Sequence, residues 1–493
     1  MQETKRILRN LGTNSYRSPR DRICAQIIDY GILALIIFAP LPAASVYEWS
    51  VLVIQLVVFI MTAAYLFIKK KPQNNESLSL AFRWPKKLFS VFFIFIFIQF
   101  VPLPKFLVRI FSPSAYDYQK LYAIDFSKMR FLSFSIIPSY TLQKGLEFFA
   151  YFLLIFLIIK TVTSRKQIQR IFVVLIGMGI FEALYGMFEL YNKNPRILFY
   201  KKIYNLDSVT GTFVNRNHLS GYLEMLIPLA IGLIIARIDF FSSSALTWRE
   251  KLVRFSERGV STNVIVFVGI ILMALAIIFS KSRSGVFILI FTFILFFGLT
   301  AMYYEIFSFR KKWIKNFLRI TVLAIIFISL YIGVNATLER FALDKLFHEE
   351  RPTYWANALR TFSSYPLVGT GLGTFGALTP NLEGETGPMA IFHAHNDYLE
   401  YLSELGIIGF GLLLGGILFM AVVSFLVWRS RRRPEVKGLA LGGIVSLICM
   451  MIHSLTDFNL HIPANMVLFS VVLPLTIVVA FYKHSAAPLE KKS

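Results

Sequence analysis

The residues best suited to chemistry crowd into one stretch, Phe392-His393-Ala394-His395-Asn396-Asp397-Tyr398-Leu399-Glu400, which runs straight into an apolar segment. Asp397 followed three residues later by Glu400 looks like a capping box, so a helix should start here with His395 at its entrance. An imidazole beside the positive end of a helix, with carboxylates close by to orient it, has the makings of a general base. The plainer reading is an interfacial histidine satisfied by Asn or Asp. His393 and His395 also form a His-x-His pair, and His453, Asp457 and His461 follow further along. That spacing is no recognised zinc signature and no cysteine joins it, so no metal and no cofactor is expected.

Two arginines stand where apolar runs begin. Arg216 lies in Gly211-Thr212-Phe213-Val214-Asn215-Arg216-Asn217-His218, and Arg283 in Ser280-Lys281-Ser282-Arg283-Ser284-Gly285. A guanidinium fork always carries charge and grips oxyanions with two parallel bonds, which suits a phosphate or pyrophosphate. Ser282, Ser284 and the first amides of the following helix could add donors. The competing reading is that both merely anchor spans at lipid headgroups. Between arginines and histidines, Arg351 to Leu359 reads as a short helix. Gly369, Gly371 and Gly373 then make a tight turn that folds a loop back onto the helices; no strand precedes them, so they are no dinucleotide fingerprint. Carboxylates also occur inside apolar runs, at Asp29, Glu147, Glu182, Glu189 and Glu224. Such groups either pair to hold helices together or orient a cationic site residue. Glu182, seven residues before Glu189 and on its helix face, is a candidate for the second role.

The elements that carry these groups follow from composition. Of 493 residues, 56% are hydrophobic and 16% charged, well under the quarter or so that a soluble domain spends on charge. Mean hydropathy is +0.62. A window of about 20 apolar residues finds twelve candidate spans, near 23–42, 48–68, 88–106, 143–160, 170–191, 218–236, 262–280, 284–304, 317–336, 404–428, 438–457 and 463–482. The expected fold is an all-α polytopic membrane protein, a single integral domain over 1–493, with a large extracytoplasmic loop at 337–404 between spans nine and ten. A basic leader ending at Arg22 lacks a small-residue cleavage site and reads as an uncleaved anchor.

The net charge of +23 sorts by side. With both termini cytoplasmic, 34 of the 51 Lys and Arg fall in or beside inner segments such as Lys69-Lys70-Lys71, Arg310-Lys311-Lys312 and Arg431-Arg432-Arg433. That is the bias expected of cytoplasmic loops, so the surplus marks orientation in a bilayer and not a nucleic-acid partner. The polar motifs then share the outer face. A transporter or flippase for a lipid-linked or sugar substrate is the alternative, but it would gather polar groups at the midplane of two repeated halves, and no repeat is present.

The motifs resemble those of bacterial O-antigen ligases and the related O-antigen and exopolysaccharide polymerases. His395-Asn396 followed by Gly406 and Gly409 is similar to the ligase pattern, and Arg351, Trp355 and Leu359 with Pro366, Gly369, Gly371, Gly373 and Phe375 resemble the rest of its loop. The segments around Arg216 and Arg283 resemble its upstream arginine sites, and His453-Ser454-Leu455 with Asp457-Phe458 its last outer segment. The likeness runs from about 181 to 470. It implies a GT-C-like fold and a metal-independent, inverting transfer at the outer face of the bacterial cytoplasmic membrane. The donor would be a glycan on undecaprenyl pyrophosphate; the acceptor would be lipid A core, a growing polysaccharide or another hydroxyl. His395 would be the base and Arg216 and Arg283 would hold the pyrophosphate. Asn396, Asp397, His393, Arg351, Glu182, His218 and His453 are supporting candidates.

Overall fold

A computed structural model describes residues 18–69, 76–192, 195–237, 258–303, 319, 323, 351–378 and 393–482. The principal helices are α1 Pro19–Phe38, α2 Glu48–Phe67, α3 Arg83–Phe100, α4 Pro138–Thr161, α5 Arg165–Leu190, α6 Arg216–Ala236, α7 Arg258–Phe279, α8 Arg283–Tyr303, α9 Arg351–Ser364, α10 Asp397–Ser430, α11 Pro434–His453 and α12 Pro463–Phe481. Strand is confined, among the described residues, to two short antiparallel pairs, Leu103–Pro104 with Phe131–Leu132 and Arg196–Ile197 with Tyr200–Lys201. Helix starts follow local chemistry. α1, α4, α11 and α12 open on proline, whose missing N–H costs nothing there. α5 opens on a capping box between Ser164 and Gln167.

Among the described residues, nine helices are long and apolar enough to cross a membrane: α2, α4 to α8, and α10 to α12. α1 and α3 coincide with expected spans but carry too many charges to meet that measure, among them Arg20, Asp21, Arg22 and Asp29 in one and Arg83, Lys86 and Lys87 in the other. The expected span at 317–336 lies outside the described residues apart from 319 and 323. So do the leader through Arg17 and the basic loops at 70–71 and 310–312.

α12 is wholly buried and α6 nearly so, and the other helices wrap them. α11 lies against α6 backbone to backbone: a Cβ added to Gly438 would sit 2.6 Å from the Gly232 carbonyl oxygen. Close approach through small residues is how helices associate where lipid removes the hydrophobic drive. The outer helices expose Leu52 and Leu56 of α2 and Ile94 and Phe97 of α3, as helices bathed in acyl chains would.

One helix is interrupted. α10 starts at Asp397, seven residues before the span expected at 404–428, and its backbone leaves the helical region at Gly406 (φ 61°, ψ −175°). The groups freed there are met by the glycine turn. The amides of Thr370 and Gly371 donate to the carbonyls of Ser403 (3.1 Å) and Glu404 (2.9 Å), and the Ile407 amide donates to Pro366 (2.9 Å). Gln99 of α3 adds its amide to the carbonyls of Val368 (2.6 Å) and Glu404 (3.1 Å). Gly369, Gly371 and Gly373 all have positive φ, so the turn expected from their spacing forms and packs onto α10. A Cβ on Gly406 would press on the Leu367 carbonyl and lie 2.7 Å from the Gly369 nitrogen. Gly406→Ala therefore adds a backbone clash to a conformation that costs a side-chain-bearing residue of order 1–3 kcal/mol. A clear drop in the thermal midpoint of the detergent-solubilised protein is expected; an unchanged midpoint would mean that the break is not required.

Candidate active site

The starts of α6, α8, α9 and α10 and the connection from α11 to α12 meet at one end of the molecule. At their centre is Asp457, which is fully buried. Its Oδ1 lies 3.2 Å from His395 Nδ1 and accepts the Phe458 amide at 2.9 Å. Its Oδ2 accepts Asn217 Nδ2 at 2.7 Å and faces Arg351 Nη2 at 3.6 Å. His218 Nε2 stands 3.7 Å from Oδ1, beyond hydrogen-bonding reach but close enough to feel the charge. Burial pushes the Asp457 carboxyl up, but the imidazoles of His218 and His395 outweigh it and hold the group well below the usual carboxylate range. With Nδ1 turned to a carboxylate, Nε2 of His395 is the nitrogen left to take a proton.

His395 is held from several sides. Its backbone is left-handed, φ 49°, a conformation that histidine tolerates better than most residues. Trp355 Nε1 donates to its carbonyl (3.3 Å), and the amide of Asp397, two residues on, donates to Ser454 (2.9 Å). The Phe458 ring meets the imidazole edge-on at 4.7 Å, and Tyr354 stacks beside it at 5.8 Å. Asn396 is the N-cap of α10, its Oδ1 accepting the Leu399 amide at 3.1 Å, and its Nδ2 donates to Leu455. The capping box expected of Asp397 and Glu400 is therefore shifted. Glu400 does not reach back to a cap; it accepts the Ala394 amide (2.8 Å) and pairs with His393 Nδ1 (2.8 Å).

Asp397 instead turns to His461, Oδ1 to Nδ1 at 2.7 Å, and accepts the Leu460 amide through Oδ2. His461 Nε2 lies 3.2 Å from Glu400. Burial alone would push the His461 imidazole down, but Glu400, Asp397 and Glu404 outweigh it and raise it to about 9. Its folded value thus lies above an unfolded value of about 6.5. The stabilisation is full below that pH and is lost as pH rises through about 9. Melting curves from pH 6.5 to 9.5 should show the wild type losing stability across this window and His461→Asn losing much less; parallel curves would remove the ion cluster from the account. His393, Glu400 and His461 also have ligand atoms within 4.8 Å of one another; the Nδ1 atoms of the two histidines are already engaged by Glu400 and Asp397.

Arg216 and Arg283 are the first residues of α6 and α8, and those two helix starts are neighbours. Ser220 Oγ of α6 lies 2.8 Å from Ser280 Oγ, and a Cβ on Gly285 of α8 would fall 2.8 Å from Ser220 Cβ. Two guanidinium-bearing residues and two positive dipole ends therefore share one place. Asn215 caps α6, accepting the Asn217 amide at 2.9 Å. Ser282 accepts the Gly285 amide, and Ser284 accepts from the hydroxyl of Thr456, the residue immediately before Asp457. Asn217, next to Arg216, is the second link from this corner to Asp457.

Two supporting candidates stand back from the centre. Glu182 receives the amide and the hydroxyl of Thr212, each at 2.8 Å, and so fixes the loop that leads into Arg216. His453 pairs with Glu224 across α11 and α6 at 2.9 Å, both fully buried. The remaining intramembrane carboxylates are paired too: Glu147 with Lys144 and Tyr151, Asp29 with Gln167 and Arg170, and Glu189 with the Arg196 amide. Asp457 is the residue that sequence reasoning undervalued. Its signals in the sequence are its place in a polar connection between two apolar runs and the likeness of Asp457-Phe458 to the last outer segment of the ligase pattern.

A mostly helical chain with nine bilayer-length apolar helices among its described residues, and polar groups converging at one end, fits a multi-pass membrane protein. Residues 268–414 match the family model described as O-antigen ligase, which supports a likeness to the O-antigen ligase and polymerase family over that segment. The matched segment holds Arg283, Arg351, His395, Gly406 and Gly409; Arg216 and Asp457 lie outside it. No curated protein matches the chain. The family match supports glycan transfer by a membrane enzyme in the ligase or polymerase sense.

Proposed function

We propose that this chain transfers a glycan from an undecaprenyl-pyrophosphate-linked donor to an acceptor hydroxyl, acting as a ligase or polymerase with inversion and without a metal ion. The protein is one integral membrane domain of twelve spans and GT-C-like fold, in the bacterial cytoplasmic membrane with both termini inside and the site outside. The observation that carries the reading is the His395–Asp457 pair, 3.2 Å apart, linked through Asn217 to the adjoining starts of α6 and α8.

His395 Nε2 takes the proton of the acceptor hydroxyl as its oxygen attacks the anomeric carbon. The bond from that carbon to the pyrophosphate oxygen breaks, and its electron pair leaves with the pyrophosphate. Arg216, Arg283 and the two helix N-termini neutralise the growing charge, work that fixed donors do without reorganising. Asp457 keeps Nδ1 engaged and offsets the charge that the imidazole gains. Arg216→Lys and Arg283→Lys keep the charge but lose the planar fork, so each should slow transfer roughly 10- to 100-fold, less than full removal of a donor. The assay is transfer from purified lipid-linked donor, run in excess chelator, where the wild-type rate should persist. Wild-type rates from both variants would dismantle the pyrophosphate clamp.

A further inference from the structure

Two cavities join where α4 approaches the start of α10. One of about 300 Å³ is walled by Tyr140, Lys144 and Glu147 of α4 and by Tyr401 and Glu404 of α10, and reaches His393. The other, about 640 Å³, shares the three α4 residues and His393 and continues outward between α4 and α2. Both fall in the range of about 300–1,000 Å³ usual for small-ligand sites. We propose that this joined cavity holds the acceptor saccharide, an inference that rests on the glycan-transfer reading above.

The chemistry of the walls selects the ligand. Glu147, Glu400 and Glu404 line the inner cavity together with Lys144, His393 and His461, so its cations are already engaged by carboxylates and offer little to a pyrophosphate, while Arg216 and Arg283 line neither. Sugar hydroxyls both donate and accept, and so suit carboxylates set beside Lys144. One oxygen there asks for a donor: Glu404 Oε2 is buried without a hydrogen-bond partner, although Oε1 accepts the Phe375 amide at 2.9 Å. An orphaned carboxylate oxygen in a cavity wall is costly unless a ligand satisfies it. Tyr140, half exposed, offers a ring on which the apolar face of a pyranose can lie. At the inner end, Phe458 stacks on His393 at 4.0 Å and meets His395 at 4.7 Å, so the cavity ends beside the base. At the outer end Leu52 and Leu146 line the wider part and are exposed. A lipid anchor on the acceptor can therefore remain in the bilayer while its sugars enter.

The test uses the full chain in detergent and, as probe, a fluorescent pool of the oligosaccharides released by mild acid from both the lipid-linked glycan and the lipid A core of cells lacking this protein. The wild type should bind it, and Tyr140→Ala and Glu404→Gln should each weaken binding about tenfold, the effect of one lost contact. In the transfer assay the same variants should raise KM for acceptor and leave KM for donor unchanged. Glu404→Gln is nearly isosteric and Tyr140 is half exposed, and melting curves check that both are folded. No binding by the wild type, wild-type affinity in both folded variants, or a rise in donor KM alone would overturn the proposal. Saccharide binding that depends on these residues in a wild type unable to transfer would sink the enzymatic reading and leave the cavity a saccharide site.

Discussion

His395→Ala should lower glycan transfer roughly 10²- to 10⁴-fold, the share that a positioned general base contributes, with the protein still inserted at its normal level. The second half of that expectation follows from the surroundings. The His395 side chain is 28% exposed and, among the described residues, its hydrogen bond is to Asp457. The backbone contacts that hold the loop, from Trp355 and through Asp397 to Ser454, do not use the imidazole. Time courses with lipid-linked donor, normalised to protein in the membrane, read the effect. Full activity would remove the base assignment. A loss matched by disappearance of the protein would make the residue structural.

Asp457→Asn should be nearly as damaging, by roughly 10³- to 10⁴-fold, as when the carboxylate behind a catalytic histidine is made an amide. The shape hardly changes, but an amide nitrogen facing Nδ1 forces the other tautomer and leaves Nε2 carrying hydrogen. The substitution also deprives Arg351 and His218 of the charge they face. On the proposed mechanism both residues serve one proton transfer, so the double variant should be little worse than His395→Ala alone. An Asp457→Asn protein with wild-type rate would break the pairing of the two residues, and effects that simply multiply would show that they act apart.

Much of this arrangement is legible in the sequence, because the physics behind it is local. Apolar length finds helices whatever they pack against, so α2, α4 to α8 and α10 to α12 lie on expected spans. The positive φ of Gly369 and Gly373 follows from glycine's freedom at a tight turn. His395, Arg216 and Arg283 stand out because charged and titratable groups are costly beside lipid and rarely kept there without purpose. What escapes is what depends on partners distant in sequence. Asp457 lies 62 residues from His395 and 240 from Asn217, and no periodicity links them. The cap of α10 falls one residue from its expected place because Asn396 and Asp397 are equally good caps, and His461, 64 residues away, claims Asp397. Span ten begins earlier than hydropathy indicates because its polar first turns, buried against the glycine turn and the α11–α12 connection, carry no apolar signal.

The interruption at Gly406 divides α10 mechanically. A continuous helix behaves as a rod, and any tilt imposed on its bilayer portion by a thicker or thinner membrane would swing its N-terminal tip. Here the rod is jointed, and the tip that follows His395 is splinted to residues 366–371 and to Gln99 instead. A change of tilt in residues 407–430 is therefore not passed rigidly to the first turns of α10, whose position is set by the glycine turn and Gln99.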